Sequence, residues 1–348
     1  MKDISLLFAA ELSKKLPEPE TGDDLLSKRK GACVQMPLLR ENVVQPSSIM
    51  QLNAIPKLID VNNYKNPHTA ENPNGDYKAA YRFSVLSDAI PKLMPYFEDS
   101  LNSTKKIWGN IVNLATPKTK YAEAVISAAK LMFKTSKLSG MGGIPEDWYP
   151  VYARPFNWYD LVLDSTNLAR IEIDTRGGDT KSGFLIIDGD HSVSWNIVDK
   201  NEQMVSNISL NQNTEIKKIY MDILRVDIVR PWLDFEVFST DWQIDGLKRA
   251  YYSNGCVDGN TGVFPLITES ILIGAKINIE GEFAPEDMRI LSEHRNNGSE
   301  LSIGPFLINT RLQPMDVEAK GKILSIHSET KQIVGYISKL IPVAPQYS

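Results

Sequence analysis

Between positions 170 and 340 the chain is a succession of short apolar runs of strand length, at 170–174, 183–187, 193–198, 219–229, 270–279, 301–308, 323–327 and 333–340. Turn clusters such as Arg176-Gly177-Gly178-Asp179 and Asp188-Gly189-Asp190 separate them, and no long helical pattern intervenes. A parallel sheet needs a long crossover, usually a helix, between successive strands. The pattern therefore argues against βαβ units and a parallel sheet, and predicts a mostly antiparallel, sandwich-like or barrel-like domain. Asp188-Gly189 lies between two of the runs as a hairpin turn would, so 183–187 and 193–198 are expected to pair. No repeat of fixed period occurs, which sets solenoids and propellers aside.

Residues 76–139 follow a helical period. Tyr77, Tyr81, Leu86, Ile90 and Leu93 predict one helix, interrupted near Pro91 and Pro95; Ile107, Ile111 and Leu114 predict a second. The third is the clearest. Thr119 suits an N-cap, and Tyr121, Ala122, Val125, Ala128, Ala129, Met132 and Phe133 make a broad apolar stripe with Lys130, Lys134 and Lys137 outside it. Gly140-Met141-Gly142-Gly143 ends it with a flexible joint. Such a stripe predicts a helix packed on a core. Its basic face and glycine joint also make residues 119–143 the candidate for membrane contact. Ile4, Leu7, Phe8 and Leu12 predict a short amphipathic helix before Pro17 instead of a secretory signal. Residues 17–75, rich in Pro, Asn and charge, are expected to wrap over a core, with 34–39 and 49–59 docking as extended pieces. The expected fold class is α+β: an extended N-terminal segment plus helical region over 1–147, packed on a larger, mostly antiparallel β-sandwich-like domain over 148–348.

Composition narrows the function classes. With 42% hydrophobic and 23% charged residues, this is an ordinary globular chain, not a disordered or fibrous one. No run of about 18 apolar residues occurs. The net charge of −5 gives no basis for nucleic-acid binding, and Lys28-Arg29-Lys30 is too short a run to change that. The two cysteines, Cys33 and Cys256, lie far apart with no Cys-x-x-Cys pair or nearby His, so no zinc site is expected. They suit a reducing compartment, with a Cys33–Cys256 bridge as the minority alternative. The expected localisation is cytoplasmic, or exported without a cleavable signal peptide.

Chemistry-bearing patterns are few. The Gly-x-Ser-x-Gly elbow, the P-loop and the Gly-x-Gly-x-x-Gly fingerprint are all missing, and no cofactor is implied. His191, with Asp188, Asp190 and Ser192 around it on a turn, is the one candidate for a hydrolase's general base. The same residues are what a polar hairpin tip requires, and that reading is favoured. Asp258-Gly259-Asn260-Thr261-Gly262 lacks the ligand spacing of an EF-hand and reads as a structural turn. The sequons at Asn102, Asn207 and Asn297 occur at about chance frequency. Two aromatic stretches stand out: Trp148-Tyr149-Pro150-Val151-Tyr152 with Phe156-Asn157-Trp158-Tyr159, and 226–235 leading to Phe238 and Trp242. Their first expected role is interdomain or core packing. As an alternative they line a cleft for a partner or ligand, with Trp148, Tyr149, Trp158, Tyr159, Arg230, Trp232 and Trp242 as its residues. Arg230 is expected to pair with Asp227 or Asp234, or to stack on Trp232.

The stretch Val226-Asp-Ile-Val-Arg-Pro-Trp-Leu-Asp-Phe, then Tyr252-Ser-Asn-Gly, Phe264-Pro-Leu-Ile-Thr-Glu-Ser-Ile-Leu-Ile, Ser302-Ile-Gly-Pro-Phe and Ile333-Val-Gly-Tyr-Ile-Ser-Lys-Leu-Ile-Pro-Val, resembles an uncharacterised microbial family. Some members of it are encoded beside bacterial α-helical pore-forming toxins of the motility-associated killing factor type. The likeness covers about the last 130 residues and contains no catalytic motif. It implies a non-enzymatic accessory or component protein of a cytotoxin system that binds a protein partner or membrane; a purely structural subunit is the blander alternative.

Overall fold

The computed structural model describes residues 4–16, 48–60, 64, 77–88, 103–138, 148–164, 168–178, 180–182, 184–186, 193–198, 204–297 and 300–348. The elements, in chain order, begin with α1 (Ile4–Lys15), β1 (Ile49–Leu58), α2 (Tyr77–Ser87), α3 (Thr104–Leu114), β2 (Thr116–Pro117) and α4 (Lys120–Thr135). β3 (Tyr152–Arg154), α5 (Trp158–Asp164), β4 (Ala169–Asp174), β5 (Leu185–Ile186), β6 (Ser194–Val198), β7 (Met204–Ser209) and β8 (Glu215–Val229) follow. After a 3-10 helix (Phe235–Ser239) come β9 (Trp242–Gln243), β10 (Leu266–Glu282), α6 (Pro285–Asn297), β11 (Glu300–Ile303), β12 (Phe306–Asn309), β13 (Asp316–Lys320), β14 (Ile323–Ser328) and β15 (Gln332–Leu340).

This is an α+β fold dominated by antiparallel sheet. The long strands β8 and β10 form the spine of a nine-stranded sheet. β10 pairs with β8 on one side and with β15 and β14 in succession on the other. β1 joins beyond β15, and β3 and β4 line the outer edge of β8. A four-stranded sheet, ordered β12-β11-β6-β7, packs on one face. Helices α2, α3, α4 and α5 cover part of the other.

The period of 2 in a strand explains how one strand feeds two cores. Ile219, Met221 and Ile223 of β8 point into the sheet-on-sheet core, whereas Leu224, Val226 and Ile228 point into the helix-on-sheet core. In β10, Ala275 opposes Asp222 and Asn278 opposes Tyr220, so one extra residue is inserted there. Lys276 adopts φ 50° at this bulge. The bulge changes the parity, and Ile277 and Ile279 join Leu272 on the same core.

Several expectations change. α1 is not amphipathic: Ile4, Ser5, Leu7, Phe8, Ala9, Ala10 and Leu12 are all buried, because the helix sits against β1, β4 and β5 within the sheet-on-sheet core. The strand-only pattern after position 170 is broken by α6, whose polar sequence buries little more than Leu291 and Asp287. Asp287 accepts hydrogen bonds from Trp195 Nε1 (2.8 Å), Asn211 N (3.1 Å) and the Thr214 hydroxyl, tying the first turn of the helix to the second sheet. The expected hairpin of 183–187 with 193–198 does not form. β5 pairs in parallel with β1, and β6 pairs with β7 and β11 in the other sheet. The run 301–308 is itself a hairpin, β11–β12, turning at Gly304. Cys256 is disulfide-bonded, against the expectation of reduced thiols. Cys33, the chain's other cysteine, lies outside the described residues, as do 34–39 and the glycine joint at 140–143.

Candidate functional site

The two aromatic stretches, distant in sequence, meet in the helix-on-sheet core. Trp158, Trp232 and Trp242 are buried there, Trp148 is buried beside α2, and Tyr149 and Tyr159 are half-buried. Three of the four indoles are wired to other parts of the chain. Trp148 Nε1 donates to Ser84 Oγ of α2 (3.0 Å), Trp232 Nε1 to the Pro150 carbonyl (2.9 Å) and Trp242 Nε1 to the Val237 carbonyl (2.9 Å). Trp108 of α3 donates in turn to the Trp232 carbonyl at 2.8 Å. Trp158 packs among Tyr64, Phe83 and Tyr159, and its Nε1 finds no partner among the described residues. Each buried ring contributes a large apolar area and, through its N–H, a fixed direction. These residues form the seat on which the helical layer rests.

Arg230 ties that layer to the sheet. Its Nη1 donates to the Thr268 carbonyl (2.6 Å) and its Nη2 to the Ser87 carbonyl at the end of α2. Neither expected ion pair forms. Asp227 bonds Arg225 (2.7 Å) and Ser270 (2.7 Å), and Asp234 caps the 3-10 helix through Glu236 N (3.0 Å). Burial lowers the Arg230 pKa to about 10, and it raises the carboxyls of Asp88 and Glu269, the two acids nearest in charge. Asp88 accepts from Lys105 N (2.8 Å), and so also joins the end of α2 to the start of α3. Perturbed groups of this kind mark either sites or structural joints. Here the Nη donors bridge two elements through backbone carbonyls, which is the work of a joint.

α4 rests on this seat. Thr119 caps it, accepting from Ala122 N at 3.1 Å. The segment before it is pinned by β2 pairing with β9, where Pro117 opposes Trp242. Phe133 stacks on Tyr149 with ring centres 4.2 Å apart and meets Trp232 edge-on at 6.1 Å. Gly109 of α3 makes the close crossing possible, since a Cβ there would come within 3.0 Å of the Phe133 ring. Ala122, Ile126 and Ala129 are buried, with Val125 and Phe133 half-buried.

The rest of the apolar surface of α4 faces outward. Tyr121 is 55% exposed, Leu131 62% and Met132 37%, and Ala124 and Ala128 are exposed between them. At 100° per residue these five fall on an arc about 100° wide, adjoining the buried arc. Lys120, Lys130 and Lys134 border it on the far side. The predicted stripe is thus two stripes, of which the core takes one. Ala124, Leu131 and the buried Ile126 were missed by the sequence pattern, because an apolar arc wider than a single packing face reads as one face.

His191, Asp188 and Asp190 lie outside the described residues. Among the described residues no group of three or more His, Cys, Asp and Glu could hold a metal ion, and no helix is long and apolar enough to cross a membrane. In the loop at 258–262, the Asn260 side chain organises the backbone. It accepts from Gly262 N (3.0 Å) and donates to Ser253 Oγ (3.0 Å) and the Cys256 carbonyl (2.8 Å). The Asn207 amide of the middle sequon is engaged with Ser194 (2.7 Å) and Asn196 (2.6 Å). The chain matches no protein-family model, no curated protein and no solved structure.

Proposed function

We propose that this protein is a non-enzymatic component of a bacterial cytotoxin system that acts by binding a protein partner. The observation that carries the reading is the outward apolar arc of α4, held rigidly by an aromatic seat. Exposed apolar surface that the fold leaves uncovered marks interaction surfaces, and the helix presenting it is anchored by its cap and by Phe133 between Tyr149 and Trp232. The cytotoxin context comes from the resemblance of the last 130 residues.

The test is genetic. Deleting the gene in its host is expected to lower cytotoxicity toward cultured cells, and the wild-type gene to restore it. A Leu131→Asp/Met132→Asp protein, expressed and folded normally, is expected not to restore it. A deletion strain as cytotoxic as its parent would overturn the proposal. His191→Ala is expected to complement fully; failure of that variant with its fold intact would point to a hydrolase using His191 with Asp188 or Asp190.

A further inference from the structure

Resting on that reading, we infer that the outer arc of α4 receives an amphipathic α-helix of the partner whose flank is acidic. Two features of the arc decide this. The first is charge. Lys118, Lys120, Lys130 and Lys134 lie along the segment against two acids, Glu123 of the helix and Glu236 of the 3-10 helix packed on it, in a chain of net charge −5. Lys118, Lys120, Lys130 and Lys134 form no ion pair among the described residues. A concentrated positive strip on an acidic protein steers and orients an acidic ligand. It also disfavours a second copy of this chain, because antiparallel α4 helices would set lysines against lysines.

The second feature is relief. The large side chains Tyr121, Leu131 and Met132 flank the small Ala124 and Ala128, one turn apart. The Tyr121 hydroxyl donates to Glu236 Oε1 at 2.9 Å, which holds the large side chain at one end of the two alanines. Small residues between large ones on a helix face let the ridge of another helix approach, with the axes about 8–10 Å apart. A lipid surface gains from bulky groups at the centre of the apolar face, and two alanines supply little there. Shape and charge together therefore favour an acidic helix over an anionic membrane.

The test uses the full chain and two 16-residue helical peptides with identical leucine stripes, one flanked by Glu and the other by Lys, read by fluorescence anisotropy. Vesicles of phosphatidylserine and phosphatidylcholine are floated in parallel. The Glu-flanked peptide is expected to bind at least tenfold more tightly than the Lys-flanked one. Lys130→Glu/Lys134→Glu should weaken it about tenfold, and Ala128→Trp, which puts bulk at the centre of the arc without altering charge, should abolish binding. Equal binding of both peptides, or insensitivity to Ala128→Trp, would overturn the inference. So would flotation on phosphatidylserine vesicles strengthened by Ala128→Trp, which would assign the arc to lipid. If Leu131→Asp/Met132→Asp fails to restore cytotoxicity while Lys130→Glu/Lys134→Glu restores it, partner binding stands and the acidic helix falls. If both restore it, the docking role of α4 falls as well.

Discussion

α1 and α4 are both apolar-rich helices with lysines toward their C-terminal ends, and the fold uses them in opposite ways. α1 is enclosed: all its apolar residues except the half-buried Leu6, and even Ser5, are buried within the sheet-on-sheet core. α4 is a half-buried helix whose second apolar stripe is left in solvent. The difference lies in what each packs against. α1 is surrounded by β1, β4 and β5, whereas α4 meets α3, β2, the 3-10 helix and the Tyr149–Trp232 seat on one side only. An all-round apolar helix that is buried all round needs no further explanation. One that keeps Tyr121, Leu131 and Met132 exposed on an otherwise well-packed seat does.

Substitutions can break this contrast in graded steps. The largest effect is expected from Trp232→Ala, which empties the space beneath Phe133 and Tyr149 and removes the bond to the Pro150 carbonyl. A loss of about 4–5 kcal/mol, read from urea unfolding with a reduced near-ultraviolet dichroism, would confirm that the aromatic seat carries α4. Phe8→Ala on the other side should cost about 3 kcal/mol by the cavity mechanism. A cost below about 1 kcal/mol would show that α1 is not an integral part of its core.

A smaller effect is expected from the buried acids on the side of the helical layer. Burial raises the Glu269 carboxyl, outweighing the attraction of Lys339, Arg225 and Arg230. The folded state thus holds that proton to higher pH than the unfolded chain does. Its contribution to stability is fully present below the ordinary carboxylate pKa, near 4, and is lost as the pH rises through the elevated folded value. Glu269→Gln should therefore flatten the fall in stability toward neutral pH, measured as urea midpoints between pH 4 and 7. An unchanged slope would show that the carboxyl titrates as in the unfolded chain. The smallest effect is expected from Leu131→Ser/Met132→Ser, within about 0.5 kcal/mol of wild type, because the exposed stripe supports nothing in the fold. A loss above about 2 kcal/mol would mean that the arc is covered by this chain itself.

Much of the architecture was legible in the residues. Strand periodicity announced β4, β6, β8, β10, β14 and β15, and turn clusters implied antiparallel pairing. Thr119 and the 3.6-residue spacing placed α4, and the two tryptophan stretches marked a junction. These follow from local chemistry: caps, side-chain alternation and turn residues act over a few positions. What only the tertiary structure decided was partnership. It separated β5 from β6 into different sheets, enclosed α1, gave Arg230 two backbone carbonyls instead of an acid, and divided the apolar arc of α4 between core and solvent. Periodicity counts how many apolar side chains a helix carries and on which side. Only long-range packing determines how many of them find neighbours, and on α4 the ones that do not are the candidate site.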